Sequence, residues 1–124
     1  MLYIGFSTRS HKILARIFCK KYRHCAPVMI MHDKCILYQF VQRKKIVPIY
    51  LKHKDINILR QFGWIFIPTN KTDISFNPLQ SNAITCVQFA KRALNIQNIK
   101  IQTPDALLKH LMKQCEQTDG DDFI

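Results

Sequence analysis

The chain of 124 residues is 48% hydrophobic and carries a formal net charge of +11. This length and composition suit one domain with a single core that needs no metal or disulfide to hold it together. Five cysteines without Cys-x-x-Cys spacing argue against a disulfide framework, and no apolar run approaches the roughly 20 residues that span a bilayer. We expect free thiols in a reducing compartment, and the N-terminal residues lack the pattern of a secretion signal.

The first part of the chain predicts a strand, a helix and a hairpin. Residues 2–6 form an apolar run typical of a strand, and Ser10 is a candidate cap for an amphipathic helix over residues 11–21. Two further strand patterns, over residues 26–31 and 35–41, are separated by a short polar turn. We therefore expect these two strands to pair as an antiparallel hairpin.

The middle of the chain predicts a sheet edge and a short helix. The strand pattern over residues 46–51 contains Pro48, which cannot donate to a ladder and so favours an edge position. Asp55 suits the cap of a helix that Gly63 would end. Residues 64–67 then form the next strand pattern.

Two helices follow a polar loop. Residues 68–81 are rich in Asn, Thr, Ser and Pro, and this loop is long enough to border a site. The next helix begins at Cys86, and its apolar stripe turns Cys86 inward, toward the sheet. Thr103 and Pro104 predict the start of the last helix. The apolar face of that helix consists of Leu107, Leu108, Leu111 and Met112.

No composition break requires a second domain. We assign residues 1–115 to one domain and residues 116–124 to an acidic tail, which we expect to be mobile. The predicted fold class is α+β, with an antiparallel sheet packed against helices.

A cysteine at a helix start and a histidine at a strand start suggest a thiol hydrolase. The N-terminus of the helix would favour the thiolate of Cys86, and His24 could take the thiol proton and later return it. On spacing alone this pairing is one of many, because the chain has five cysteines and five histidines and an inward cysteine is usually core packing.

Three parts of the chain carry a resemblance to a known family. They are the histidine strand with its hairpin partner, residues 24–29 (HCAPVM) and 35–39 (CILYQ), the cysteine helix, residues 84–96 (ITCVQFAKRALNI), and the last helix, residues 102–111 (QTPDALLKHL). In this order they resemble the permuted NlpC-type papain-like hydrolases, in which the histidine strand precedes the cysteine helix. The form most similar is a small one carried by proteobacteria and tailed bacteriophages, and the resemblance covers nearly the whole chain except the tail.

The resemblance implies roles for individual residues. Cys86 would be the nucleophile, and His24 the general base and then the general acid. A third polar group should orient the imidazole, and the candidates are Gln39 and, second to it, Tyr38, which strand alternation places on opposite faces. A glutamine can accept the ring proton, but it brings no charge to stabilise an imidazolium. The backbone N–H of Cys86 would enter the oxyanion hole, and no second donor is identified.

The expected reaction is acyl transfer to water, on an amide or ester such as a cell-wall peptide, a protein isopeptide or an acyl lipid. Neither a cofactor nor a metal is expected, since the Cys and His spacings are not those of zinc sites. Two alternatives stay open: a catalytically silent virion or assembly protein with a papain-like fold, and a basic accessory protein that binds nucleic acid or an anionic surface. The expected location is the host cytoplasm or a virion.

The other cysteines and histidines have structural interpretations. Cys25 would face away from His24 on a strand and belong to the core. Cys35 and Cys115 lie in apolar contexts typical of packing or surface thiols. His53 lies in a basic stretch and is expected to be solvated.

Overall fold

The computed structural model describes residues 1–8, 22–41, 45–74, 77–78, 83 and 85–117. The predicted helix over residues 11–21 lies outside these ranges, as do residues 118–124 of the predicted tail. The strands are β1 (Leu2–Ser7), β2 (His24–Ile30), β3 (Cys35–Val41), β4 (Lys45–Leu51) and β5 (Ile65–Pro68), and the helices are α1 (His53–Gln61), α2 (Cys86–Ala93) and α3 (Pro104–Gln117).

The five strands form one antiparallel sheet in the order β4-β3-β2-β1-β5, so the predicted α+β class is confirmed. The predicted hairpin is confirmed as well: Val28 lies opposite Leu37, and the Met31 N–H donates to the Lys34 carbonyl at 2.9 Å to close the turn. Pro48 lies on β4, which is an edge strand as predicted.

Each face of the sheet has its own apolar cluster. On one face, which we call the α2 face, β1 and β2 side chains such as Phe6 and Cys25 pack with buried residues of α2 and α3. On the opposite face, the α1 face, Ala26 and Val28 pack with Ile56 of α1. Since strand side chains alternate between faces, each functional residue on β2 or β3 can be assigned to one helix layer or the other.

The ends of α1 differ in part from the prediction. The helix begins at His53 with Lys52 as its cap residue, so the prediction that Asp55 is the cap was wrong. Asp55 is instead the third helical residue, and its carboxylate accepts the backbone N–H of Lys52 at 2.9 Å, which satisfies the cap from inside the helix. The stop at Gly63 is confirmed by its positive φ of 93° and by its N–H, which donates to the Arg60 carbonyl at 3.1 Å.

The predicted start of α3 is confirmed, but its apolar face is narrower than predicted. The Thr103 hydroxyl accepts the Ala106 N–H at 3.2 Å, as expected of a cap residue. Leu107 and Leu111 are buried, whereas Met112 is 42% exposed, because consecutive residues lie about 100° apart around a helix. The helix continues through Gln117, two residues into the segment assigned to the tail.

Candidate active site

Cys86 is the first residue of α2, and the first turn of this helix has no acidic residue. The Thr85 hydroxyl caps the helix by accepting the Gln88 N–H at 3.0 Å. The half-buried Cys86 side chain packs against the core cluster of the α2 face. The sulfur therefore lies at the positive end of a helix dipole that no carboxylate offsets within the first turn.

His24 is the first residue of β2, and the chain leading into it is held from two sides. The Arg23 N–H donates to the Ser7 carbonyl on β1 at 2.9 Å, and His24 itself pairs with Ser7 in the ladder. The Tyr22 N–H donates to the Asp105 carboxylate, in the first turn of α3, at 3.1 Å. These contacts fix the strand start from which the imidazole extends.

His24 and Cys25 lie close enough to Cys86 to affect its pKa, and the catalytic roles of Cys86 and His24 stay predictions. The Cys25 thiol is the largest cause that holds the pKa of Cys86 well below the ordinary thiol value, followed by the hydrogen bond and positive charge of His24; burial opposes them. The arrangement therefore favours a thiolate beside an imidazolium.

The Trp64 ring packs against the His24 imidazole, a contact that the sequence did not reveal. Its ring meets the imidazole edge to face, with centroids 6.0 Å apart and planes at 88°, and it stacks on Phe66 at 5.9 Å. A Cβ on Gly5 would lie 2.9 Å from Phe66 Cε1 and 3.0 Å from Trp64 Cε3. Only a glycine at this position of β1 therefore leaves room for the stacked rings of Trp64 and Phe66. A lone glycine inside an apolar strand is the signal that could have indicated such a close approach.

Gln39 and Tyr38 lie on opposite faces of β3. Leu37 pairs with Val28, so alternation places Gln39 on the α1 face, the face that His24 also occupies. Tyr38 packs against the same α2-face clusters as Cys86. Gln39 is thus on the correct face for the orienting role, and that role stays a prediction.

A second cysteine–histidine contact lies at the far end of the hairpin and was not foreseen. His53 Nδ1 lies 4.0 Å from the Cys35 sulfur, and Nε2 lies 3.2 Å from the His32 carbonyl oxygen. Cys35 is 0% exposed, and burial, aided by the Asp55 carboxylate, raises its pKa. A protonated, inaccessible thiol is not a nucleophile, so the prediction of Cys35 as a packing residue fits its surroundings.

A cavity among the described residues lies away from Cys86. It has a volume of about 170 Å³ and is lined by residues 69–71 after β5, residues 94–96 after α2, and Gln114 of α3. The eight residues of α2 separate it from Cys86 by roughly 12 Å. Since its lining contains neither cysteine nor histidine, it contributes nothing to the thiol site.

No protein family, curated protein or solved structure matches this chain. Among the residues that the structure describes, no helix has both the length and the apolar character to cross a membrane. In the same part of the chain, no group of three or more histidine, cysteine or acidic side chains is arranged to hold a metal ion.

Proposed function

We propose that this protein is a cysteine hydrolase in which Cys86 attacks an acyl carbon and His24 transfers the proton. The observation that carries the proposal is the position of Cys86 as the first residue of α2, near His24, which together with Cys25 lowers the pKa of the thiol. Cysteine nucleophiles have such surroundings, whereas structural cysteines are buried and protonated.

The reaction follows from these groups. The Cys86 thiolate adds to the carbonyl carbon of the substrate, and the tetrahedral oxyanion is stabilised by the Cys86 backbone N–H in the first turn of α2, where N–H groups have no partner within the helix. The C–N or C–O bond then breaks as the His24 imidazolium gives its proton to the leaving group. Neutral His24 next takes a proton from water, the hydroxide attacks the thioester, and the acid product leaves with the thiolate restored.

The proposal includes the permuted NlpC-type papain-like assignment. It is supported by chain order, since the histidine strand β2 precedes the cysteine helix α2 and this helix packs on an antiparallel sheet. In this assignment Gln39 orients His24. The substrate is an amide or ester of a cell-wall peptide, a protein isopeptide or an acyl lipid, and water is the co-substrate.

The experiment that tests the proposal is alkylation by iodoacetamide as a function of pH, followed by peptide mapping of every cysteine. At about pH 6 an ordinary thiol with a pKa of about 8.5 is roughly 0.3% ionised, whereas a thiol with a depressed pKa is ionised far more. A low-pKa thiolate is also a weaker nucleophile, so we expect Cys86 to react on the order of tenfold faster than the other cysteines rather than several hundredfold.

Two histidine variants form a matched pair for this experiment. His24→Ala should remove the advantage of Cys86, because it deletes a group that lowers the pKa of the thiol. His53→Ala, which deletes the contact with Cys35, should leave Cys86 unchanged. If Cys86 in the wild type reacts no faster than Cys25 or Cys115, the hydrolase proposal is wrong. A silent assembly protein, or a nucleic-acid-binding protein with salt-sensitive affinity that survives Cys86→Ala, would then be favoured.

A further inference from the structure

Trp64 contacts the site but has no part in the reaction scheme. It follows α1 and directly precedes β5, and its indole meets the His24 imidazole edge to face, with ring centroids 6.0 Å apart and planes at 88°. The side chain is half-buried and packs against the buried cluster of the α1 face. The histidine that would transfer the proton is therefore in contact with an aromatic ring that takes no part in the chemistry.

The indole is held from two directions. The backbone N–H of Trp64 donates to the Leu59 carbonyl near the end of α1 at 3.1 Å. Its ring stacks on Phe66, with planes 12° apart and centroids 5.9 Å apart, and Phe66 is 1% exposed. The Arg60 guanidinium of α1 lies 5.8 Å from the centroid of the Phe66 ring. A ring fixed by its neighbours in this way can hold an adjacent side chain in one orientation.

The register of the sheet explains why the two rings meet. β1 lies between β2 and β5, and near its end Ser7 pairs with His24. The preceding residue, Phe6, pairs with Ile65, which follows Trp64. The backbones of His24 and Trp64 are thus on opposite sides of β1, roughly 10 Å apart, because neighbouring strands are about 4.8 Å apart. Two ring side chains on the same face of the sheet can close that distance.

We propose that Trp64 is a positioning residue for His24: its indole fixes the plane of the imidazole, so that the ring is oriented for proton transfer before substrate binds. This inference rests on the proposed function, because it assigns a role within that same site. The χ2 torsion of a histidine is intrinsically broad, and the resemblance provides only the neutral Gln39 to restrain it. A second ring set at right angles to the imidazole narrows that range by contact.

The strength of such a contact sets the size of the expected effect. Aromatic pairs prefer edge-to-face or offset-stacked arrangements with centroids about 4.5–7 Å apart, and both ring pairs of Trp64 lie within this range. A pair of this kind shifts an equilibrium by about two- to tenfold beyond the effect of the area that it buries. Because the orientation of a reacting group acts on its rate, loss of the indole should weaken the contribution of His24 without abolishing it.

Two substitutions separate the aromatic contact from the volume that the side chain fills. Trp64→Leu removes the contact and keeps an apolar side chain, whereas Trp64→Phe keeps a ring that can meet the imidazole. The readout is the pH profile of Cys86 alkylation by iodoacetamide, with the unfolding transition of each variant measured to confirm folding. We expect Trp64→Leu to slow Cys86 about two- to tenfold at acid pH and Trp64→Phe to retain most of the wild-type rate.

The matched control is Tyr3→Leu, which removes another aromatic ring that packs against the same cluster of the α1 face. Tyr3 lies four residues before Ser7 on β1, roughly 13 Å from that end of the strand. Its loss should lower stability and leave the Cys86 profile unchanged. The inference is overturned if folded Trp64→Leu keeps the wild-type profile, if Trp64→Phe falls with Trp64→Leu, or if Tyr3→Leu slows Cys86 equally.

A second measurement uses the native chain, which contains a single tryptophan. An imidazolium in contact with an indole quenches the indole fluorescence, so the emission of Trp64 should rise as His24 loses its proton. This step should disappear in His24→Ala and persist in His53→Ala. Emission that does not change with pH, or that changes equally in His24→Ala, would show that the two rings are not in contact in solution and would overturn the inference.

The two proposals fail in different ways. The hydrolase proposal fails when wild-type Cys86 shows no acid-range advantage or no dependence on His24. The inference about Trp64 fails when Cys86 has that advantage and that dependence but is indifferent to the ring at position 64.

Discussion

Cys86 with His24 and Cys35 with His53 are two cysteine–histidine contacts on one sheet, and each lies beside the first turn of a helix. The pKa values of the two thiols are shifted in opposite directions: that of Cys86 is lowered and that of Cys35 is raised. An adjacent imidazole is therefore not sufficient to activate a cysteine. The groups around the pair decide whether the sulfur carries charge.

The helix N-termini show where the difference arises. The third residue of α1 is Asp55, whose carboxylate fills the cap and adds to the rise in the pKa of Cys35. The third residue of α2 is the neutral Gln88, and the cap is the Thr85 hydroxyl. One helix start is thus neutralised by its own carboxylate, while the other leaves its positive end to the thiolate.

The largest expected effect contrasts removal of the two sulfurs. With an activated acetate ester such as p-nitrophenyl acetate, Cys86→Ser should lower acetyl transfer and turnover to the uncatalysed background, because a serine hydroxyl at this position is not ionised. Cys35→Ser should retain both. Nitrophenol release and the mass of the acetylated peptide measure the steps. Turnover that persists in Cys86→Ser, or disappears in Cys35→Ser, would contradict the assignment of the nucleophile.

Gly5→Ala should disturb the pairing of His24 with Cys86, because it displaces the Trp64 ring that packs against His24. The added Cβ would overlap Phe66 and Trp64 at 2.9 to 3.0 Å, and overpacking of this kind costs about 1–3 kcal/mol in the free energy of unfolding. Because Trp64 packs against His24, its displacement should also reduce the reactivity of Cys86 at acid pH. Denaturant unfolding and alkylation measure the two effects. Ile56→Val, which loosens the α1 face, should cost stability without slowing Cys86, and equal slowing in both variants would contradict this role for Trp64.

Exchanging the charges at the starts of α1 and α2 should bring the pKa values of Cys35 and Cys86 closer together. Gln88→Glu places a carboxylate in the first turn of α2 and should raise the pKa of Cys86, slowing its alkylation at acid pH about two- to fivefold. Asp55→Asn should lower the pKa of Cys35, which ¹³C chemical shifts of labelled cysteine can follow in a buried thiol. Unfolding free energies supply the control, because Gln88→Glu should stabilise α2 while it weakens the thiolate. Unchanged titration of both sulfurs would show that the helix ends do not decide the contrast.

The smallest effect concerns stability against pH, where the two thiols should act with opposite sign. The lowered pKa of Cys86 contributes stability that is complete above about pH 8.5, the ordinary thiol value, and is lost as the pH falls through the lowered pKa. The raised pKa of Cys35 contributes stability that is complete below that value and is lost as the pH rises toward the raised pKa. Unfolding free energies of wild type, Cys86→Ser and Cys35→Ser across this range measure both trends, and trends of the same sign would refute the contrast.

Local patterns predicted the elements well because their causes are local. Alternation indicated the hairpin of β2 and β3, Pro48 indicated the edge strand, and the residues around Thr103 indicated the start of α3. The error at Asp55 has a local cause too, since an acid at the third helical position satisfies the cap residue from inside. The spacing of residues could not distinguish Asp55 as the cap residue from Asp55 as the third helical residue.

The site was only partly predictable, because its contacts join distant residues through the register of the sheet. The resemblance suggested Cys86 with His24, whereas the contacts of Trp64 with His24 and of Cys35 with His53 depend on how strands and helices stack. Strand alternation placed Cys25 in the core correctly. It could not show that Cys25 affects the pKa of Cys86.

The order of strands also bears on self-association. A sheet edge exposes unpaired N–H and C=O groups that can recruit a strand from another copy, and β4 carries exposed apolar residues at Val47, Ile49 and Tyr50. Pro48 lies among them and interrupts the row of donors, while the opposite edge strand, β5, has only four residues. Neither edge offers a long uninterrupted ladder, so this basic protein presents its apolar edge without a ready template for β-sheet aggregation.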